Sequence, residues 1–254
     1  MCLINFQLNE HPSYKLIIAA NRDEFYERPT APAHFWEAEP NLLAGQDLQQ
    51  KGTWLGITKK GRFAALTNYR SPEHMEKGML SRGEIVTNFL TADFSPVAYL
   101  QLLKERKNEY VGFNVLVGDA NKLYHYNNVM DEWTEISQGT HGLSNATLNT
   151  SWPKVVKGRR ALKEYAVAHK IIDPDKLFSI IADAEEADDA SLPDTGIGVK
   201  MERKLSAPFI KMPEYGTRSS TVLLVDQQNH VTFVERTFEK GVFKDEKRFD
   251  FGIE

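Results

Sequence analysis

The chain has 254 residues, a formal net charge of −4, 41% apolar, 11% aromatic and 26% charged residues, and one cysteine. These values place it among globular chains long enough to bury a core without staples, and exclude disordered and collagenous classes. The single cysteine excludes an intrachain disulfide and multi-cysteine zinc or iron–sulfur sites. The mild acidity offers no broad field for nucleic acid or an anionic membrane, and no apolar run approaches the ~18 residues of a transmembrane segment.

Met1 to Phe6 lack a basic start followed by an apolar run, and Asn5, Gln7, Asn9 and Glu10 interrupt the stretch, so no secretory signal is read. The expected location is cytoplasmic, a reducing compartment that suits a lone thiol. Because the residue after Met1 is small, methionine aminopeptidase is expected to expose Cys2 with a free α-amine.

Residues 2–8 alternate, with Cys2, Ile4, Phe6 and Leu8 on one face, which is the period of a strand. Asn9 to Ser13 supply a turn, and 15–21 form a second, nearly continuous apolar strand that ends at the polar cluster Asn21-Arg22-Asp23-Glu24. Pro29, Pro32, Pro40, Gly45 and Gly52 predict irregular structure over 29–53. A hairpin follows over 54–58 and 62–68. Ser81-Arg82-Gly83-Glu84 reads as a capping box opening a helix, and Ser95-Pro96 opens another. Strands are predicted over 113–117, 122–126 and 132–136, then a short run through His141-Gly142-Leu143. Trp152-Pro153 starts a helix to about residue 168, and Asp173-Pro174 caps the next. The five carboxylates of 183–189 read as a solvated helix end, and 190–216 as a long loop that could serve as a lid. A hairpin over 219–225 and 230–238 and a last strand over 248–251 complete the chain. No repeat, linker or composition break appears, so one domain over 1–254 is expected. Hairpins at both ends with four helices between them suit an α+β fold in which helices cover two stacked antiparallel sheets.

A cysteine nucleophile acts as its thiolate and needs a base or a positive neighbour. A processed Cys2 carries such a base on itself, because an α-amine titrates near 8. A cation to favour thiolate, a carboxylate to orient the amine and amide donors for an oxyanion would complete the site. Arg22 and Asp23 follow the second strand, Asn68 ends the 62–68 strand, Asn145 follows the run after His141, and Arg218 begins the penultimate hairpin. The plain alternatives are a structural ion pair for Arg22 and Asp23, turn formation for Asn68 and Asn145, and a surface charge for Arg218. No Gly-x-Ser-x-Gly elbow, His-Glu-x-x-His or phosphate loop occurs, and Gly196-Ile197-Gly198 is loop chemistry. Trp36, Trp54, Trp133 and Trp152 are expected to pack the core, or as a pair to floor an acyl pocket.

Cys2, Asn21-Arg22-Asp23-Glu24, Gly52-Thr53-Trp54-Leu55-Gly56, Thr67-Asn68-Tyr69-Arg70, Gly142-Leu143-Ser144-Asn145 and Tyr215-Gly216-Thr217-Arg218-Ser219-Ser220-Thr221 resemble, in order and over essentially the whole chain, the Asn-Arg-Asp-Glu (NRDE) family. That family includes the transport and Golgi organisation protein 2 group and is similar in layout to N-terminal-nucleophile hydrolases, especially the cysteine acylases of bile-salt and penicillin amides. The resemblance implies a four-layer αββα sandwich with Cys2 as nucleophile and Arg22 and Asp23 beside it. It further implies Asn68 and Asn145 as oxyanion or amine partners and Arg218 as a charged site residue. The same motifs put forward Glu24, Trp54, Tyr69 and Ser144 as substrate-binding residues. The acylases space their arginine and aspartate more widely, so Asp23 and Glu24 both remain candidates to face the amine.

Two functions follow from the resemblance. One is hydrolysis of an amide or thioester of a small acyl substrate, with no cofactor or metal required. The other is a non-enzymatic carrier of haem or an acyl lipid, with haem as ligand and Cys2 as its axial group. His11, His34, His74, His125, His141, His169 and His230 are scattered without an attachment motif and read as surface or structural histidines.

Overall fold

The computed structural model describes residues 2–72 and 80–254. Its first strand, β1 (Cys2–Leu8), is buried along its whole length and pairs antiparallel with β2 (Tyr14–Phe25). Cys2 lies opposite Arg22 in that ladder. Strand β2 does not end at Asn21. It continues through Arg22, Asp23 and Glu24 because β11 (Tyr215–Asp226) pairs with it as far as Tyr215 opposite Phe25. The polar cluster therefore sits on a strand with fixed, alternating directions rather than in a turn.

Thirteen strands form two antiparallel sheets among the described residues. The first has the order β10 (Gly139–Leu143), β1, β2, β11, β12 (His230–Glu239), β13 (Val242–Gly252). The second runs in chain order through β3 (Thr30–Phe35), β4 (Leu42–Asp47), β5 (Leu55–Thr58), β6 (Phe63–Asn68), β7 (Phe113–Gly118), β8 (Leu123–Asn127) and β9 (Glu132–Glu135). Strands β3 and β4 correct the expectation of irregular structure over 29–53. Pro32 is tolerated because β3 is an edge strand, and its pairing skips between Ala31 and His34.

Between the sheets, Ile4, Phe6, Leu16 and Ile18 meet Leu43, Ile57, Phe63 and Leu116. Each such side chain, fully buried, contributes about 1.5–3 kcal/mol relative to exposure. Helices α1 (Arg82–Thr91) and α2 (Pro96–Glu105) lay Ile85, Phe89 and Leu100 on the outer face of the second sheet. Helices α3 (Pro153–Ala168) and α4 (Pro174–Ile181) lay Leu162, Leu177 and Ile181 on the outer face of the first. The layers are thus helix, sheet, sheet, helix. Helix α3 approaches β1 so closely that a Cβ on Gly158 would come within 2.4 Å of the Asn5 amide and would have to displace it.

Ser95 and Asp173 cap α2 and α4 through Ala98 N–H and Asp175 N–H. The capping box at α1 does not form. Ser81 makes no side-chain cap, and the Glu84 carboxylate accepts instead from the Tyr110 hydroxyl at 2.7 Å. Tyr110 is buried, and its phenol gains more from a charged acceptor than a solvated backbone N–H does. Residues 190–216 include a short helix, α5 (Val199–Lys204), which corrects the all-loop reading. Strand β13 is also longer than expected. Its exposed, charge-rich edge carries little hydrophobic signal. Trp36 is buried as expected, whereas Trp133 is 40% exposed on edge strand β9. No helix among the described residues is long and apolar enough to cross a membrane.

Candidate active site

Strand β2 carries Arg22 and Glu24 on the face toward the second sheet and Asp23 on the face toward α3. A cleft of about 290 Å³ opens on the first of these faces, with Cys2, Arg22, Glu24 and Asn68 in its wall. Arg22 is only 6% exposed. Its guanidinium stacks 4.1 Å from the centre of the Trp54 ring, donates to Thr30 Oγ1 at 3.2 Å and lies 4.0 Å from Glu24. Trp54 therefore packs against the inter-sheet core, as expected, and also floors the site beneath a cation.

Burial pushes the Cys2 thiol above its ordinary range, and the Asp23 carboxylate adds to this. Arg22 and the Asp23 backbone N–H, which donates to the sulfur, pull it down. The Asp23 carboxyl is likewise raised by burial, opposed first by the positive amino terminus, then by Lys154 on α3 and by the Thr217 hydroxyl, which donates to Asp23 Oδ1 at 2.7 Å. Lys154 is 2% exposed. Burial and the neighbouring Arg70 push its ammonium down to about 8, while Asp23, Cys2 and Glu202 resist the shift.

Ser144 and Asn145 stand behind the cleft wall. Ser144 Oγ donates to the Cys2 carbonyl at 2.9 Å, and Asn145 Nδ2 donates to the Asn68 carbonyl at 2.9 Å. They hold the backbones of the two residues that do face the cleft. Tyr69 does not line the cleft; its backbone N–H donates to Gly112. Arg218 is also displaced from the site. It occupies a register shift between Thr217 and Ser219, and its Nη1 donates to the carbonyls of Phe25, Tyr26 and Arg28 at 2.7, 3.0 and 3.0 Å. The irregularity turns its side chain onto the loop that leaves β2, whose carbonyls it binds.

Residues 1–240 match the family described as Transport and Golgi organisation 2. The chain belongs to this family. It is 37% identical to the Transport and Golgi organization protein 2 homolog of Homo sapiens, with 93% of each chain covered. It is 28% identical to Transport and Golgi organization protein 2 of Drosophila melanogaster, covering 93% of this chain and 92% of that one. Among solved structures it is similar to a mutant of the conjugated bile acid hydrolase of Clostridium perfringens, with a TM-score of 0.53 over 99% of this chain and 97% of that one, at 9% identity. That likeness is one of fold. The four layers are the αββα sandwich of the N-terminal-nucleophile hydrolase type.

Within this family member, several residues of the site carry no sequence signal. Arg28 and Arg82 line the cleft, with Arg28 bonded to Asp47 at 2.6 Å. Arg82 is hidden in the capping box, and Lys154 reads as an ordinary solvent-facing residue of a helix start. Glu235 on β12 is buried beside Ser219, Thr221 and Arg22 and accepts from the Ala33 N–H at 2.7 Å. Burial raises its carboxyl from an ordinary 4.5 to about 7.

The sign of the resulting pH dependence follows from linkage. Between about pH 4.5 and 7 the folded chain holds a proton on Glu235 that the unfolded chain has lost, so stability falls as pH rises through that window. Glu235→Gln keeps an acceptor for Ala33 and removes the titration. It is expected to be more stable than the parent above pH 7 by up to about 3 kcal/mol, with little difference below pH 4.5. Urea unfolding at pH 4 and pH 8 measures this.

The described histidines are structural or peripheral. His125 Nε2 donates to Asn114 Oδ1 (2.9 Å), and burial lowers its pKa to about 4. His141 bonds Ser137 O and Asn149, and His11 bonds His169 O. His74 lies outside the described residues. Among the described residues, no group of three or more His, Cys, Asp or Glu is placed to hold a metal ion.

Proposed function

We propose that this chain is an N-terminal cysteine hydrolase of an amide or thioester of a small acyl compound. The observation that carries the reading is Cys2 in the wall of a cleft, opposite Arg22 and one residue from a buried Asp23. Removal of Met1 leaves an α-amine on Cys2. That amine takes the Sγ proton, the thiolate attacks the substrate carbonyl, and Arg22 favours the charged sulfur. The tetrahedral oxyanion is held by the Asn68 side-chain amide, which Asn145 positions from behind. The ammonium returns its proton to the leaving amine or thiol. Water then attacks the Cys2 thioester, releasing the acid and restoring the thiol.

Asp23 is the carboxylate that orients the amine. Glu24 is already drawn to Arg22 and to Arg28, at 4.0 and 3.9 Å, and accepts from the Phe25 N–H. Asp23 instead faces α3 with Lys154 acting on it. The test is the intact mass of the protein purified from its native host. The expected mass lacks the methionine, and a mild electrophile adds to Cys2. Quantitative retention of Met1 overturns the reading.

A further inference from the structure

The cleft beside Cys2 contains three guanidinium groups, and two of them are occupied. Arg28 donates through Nε and Nη2 to Asp47 Oδ2, at 2.9 and 2.6 Å. Arg22 is held by Thr30, Trp54 and Glu24. Arg82, the first residue of α1, donates to the Gly112 carbonyl at 3.1 Å and forms no ion pair among the described residues. It is half-buried, lines the same cleft as Cys2, and is close enough for the charges of Cys2 and Glu24 to act on it.

A desolvated guanidinium without a carboxylate partner is costly unless a ligand supplies the charge. Arg22 is drawn to Glu24 and Arg28 to Asp47, which leaves Arg82, among the described residues, as the cleft guanidinium without a carboxylate and a fitting partner for the carboxylate of a ligand. The cleft volume of about 290 Å³ suits a short acyl chain.

We infer that Arg82 is the specificity residue of this cleft, and that the substrate is an amide or thioester whose acyl part ends in a carboxylate docked on Arg82. The inference rests on the hydrolase reading above and names its substrate class. It also gives the cleft a charged residue in place of Arg218, whose guanidinium donates to three backbone carbonyls.

The test compares alkylation of Cys2 by iodoacetate and by iodoacetamide, with glutathione as the reference thiol. The expected iodoacetate-to-iodoacetamide rate ratio exceeds that of glutathione by about tenfold or more, the scale of one charge-assisted contact. Arg82→Gln should bring the ratio down to that of glutathione, and Arg82→Lys, which keeps the charge, should retain most of it. A parent ratio equal to that of glutathione, or one unchanged in Arg82→Gln, overturns the inference while leaving the cysteine reading intact.

Failure of both reagents to label Cys2 sinks the cysteine reading instead. Calorimetric titration of the parent protein with succinamate then decides the anion site. Saturable binding that Arg82→Gln weakens supports it, and no binding overturns it. Tighter binding of inorganic phosphate than of succinamate in the same titration overturns the assignment to a carboxylate.

Discussion

Cys2→Ala is expected to reduce acyl transfer by at least about 10⁴-fold and to eliminate alkylation, while the protein stays folded. The chain has one cysteine, so no other thiol can substitute. The stability cost should be small, within about 1 kcal/mol. Cys2 sits at the end of β1, where its sulfur borders the cleft, and its carbonyl bond to Ser144 Oγ does not depend on the side chain. Hydrolysis of short thioesters and thermal unfolding of the same preparation measure the two effects together. Residual hydrolysis near the parent rate would place the chemistry elsewhere. A collapse of the melting temperature would make Cys2 a structural residue.

Glu202→Ala is expected to destabilise the fold by about 3–5 kcal/mol and to lower the melting temperature by roughly 6–20 °C. Glu202 on α5 is 2% exposed, its Oε2 lies 2.5 Å from Arg70 Nη1, and its Oε1 accepts from the Thr195 N–H and hydroxyl. Burial already disfavours the charged form of Arg70, and Glu202 is the largest influence restoring it. Removing the carboxylate leaves a buried charge without that support. Converting Arg70 and Glu202 together to methionine should cost much less, because no lone charge remains. Arg70→Met, Glu202→Met and the double variant form a thermodynamic cycle that measures this coupling.

The same pair connects the 190–216 segment to the site. The Arg70 N–H donates to the Asn145 carbonyl at 2.7 Å, and Asn145 holds Asn68. Glu202→Ala should therefore also slow labelling of Cys2 or hydrolysis at temperatures where the variant is still folded. The segment read from sequence as a lid is in this structure anchored by a buried ion pair.

Much of the architecture was legible because local chemistry and packing agreed. The alternation of residues 2–8, the proline-started helices at Pro96, Pro153 and Pro174, and the hairpin across Asp226–Asn229 all appear as read. Two of the misreadings share a cause. Strands β3 and β13 are edges, where one side lacks a partner and a hydrophobic pattern is not required. The capping box at Ser81 lost to Tyr110, a residue 26 positions from Glu84 that no local window contains.

The amino-acid sequence alone determined the chemical inventory: a lone thiol at residue 2, a polar cluster at 21–24 following an apolar strand, and the two hairpins that frame the chain. It excluded disulfides, cysteine-rich metal sites and long apolar spans by count. Tertiary structure decided which of those groups meet. Register put Arg22 opposite Cys2, and strand alternation turned Glu24 to the face of the second sheet and Asp23 to that of α3, both bordering the cleft. The register shift at Arg218 turned that arginine onto backbone carbonyls, and the start of α1 supplied Arg82 instead. A shift of one residue reverses the face of every side chain on a strand, so such choices are fixed only by long-range pairing.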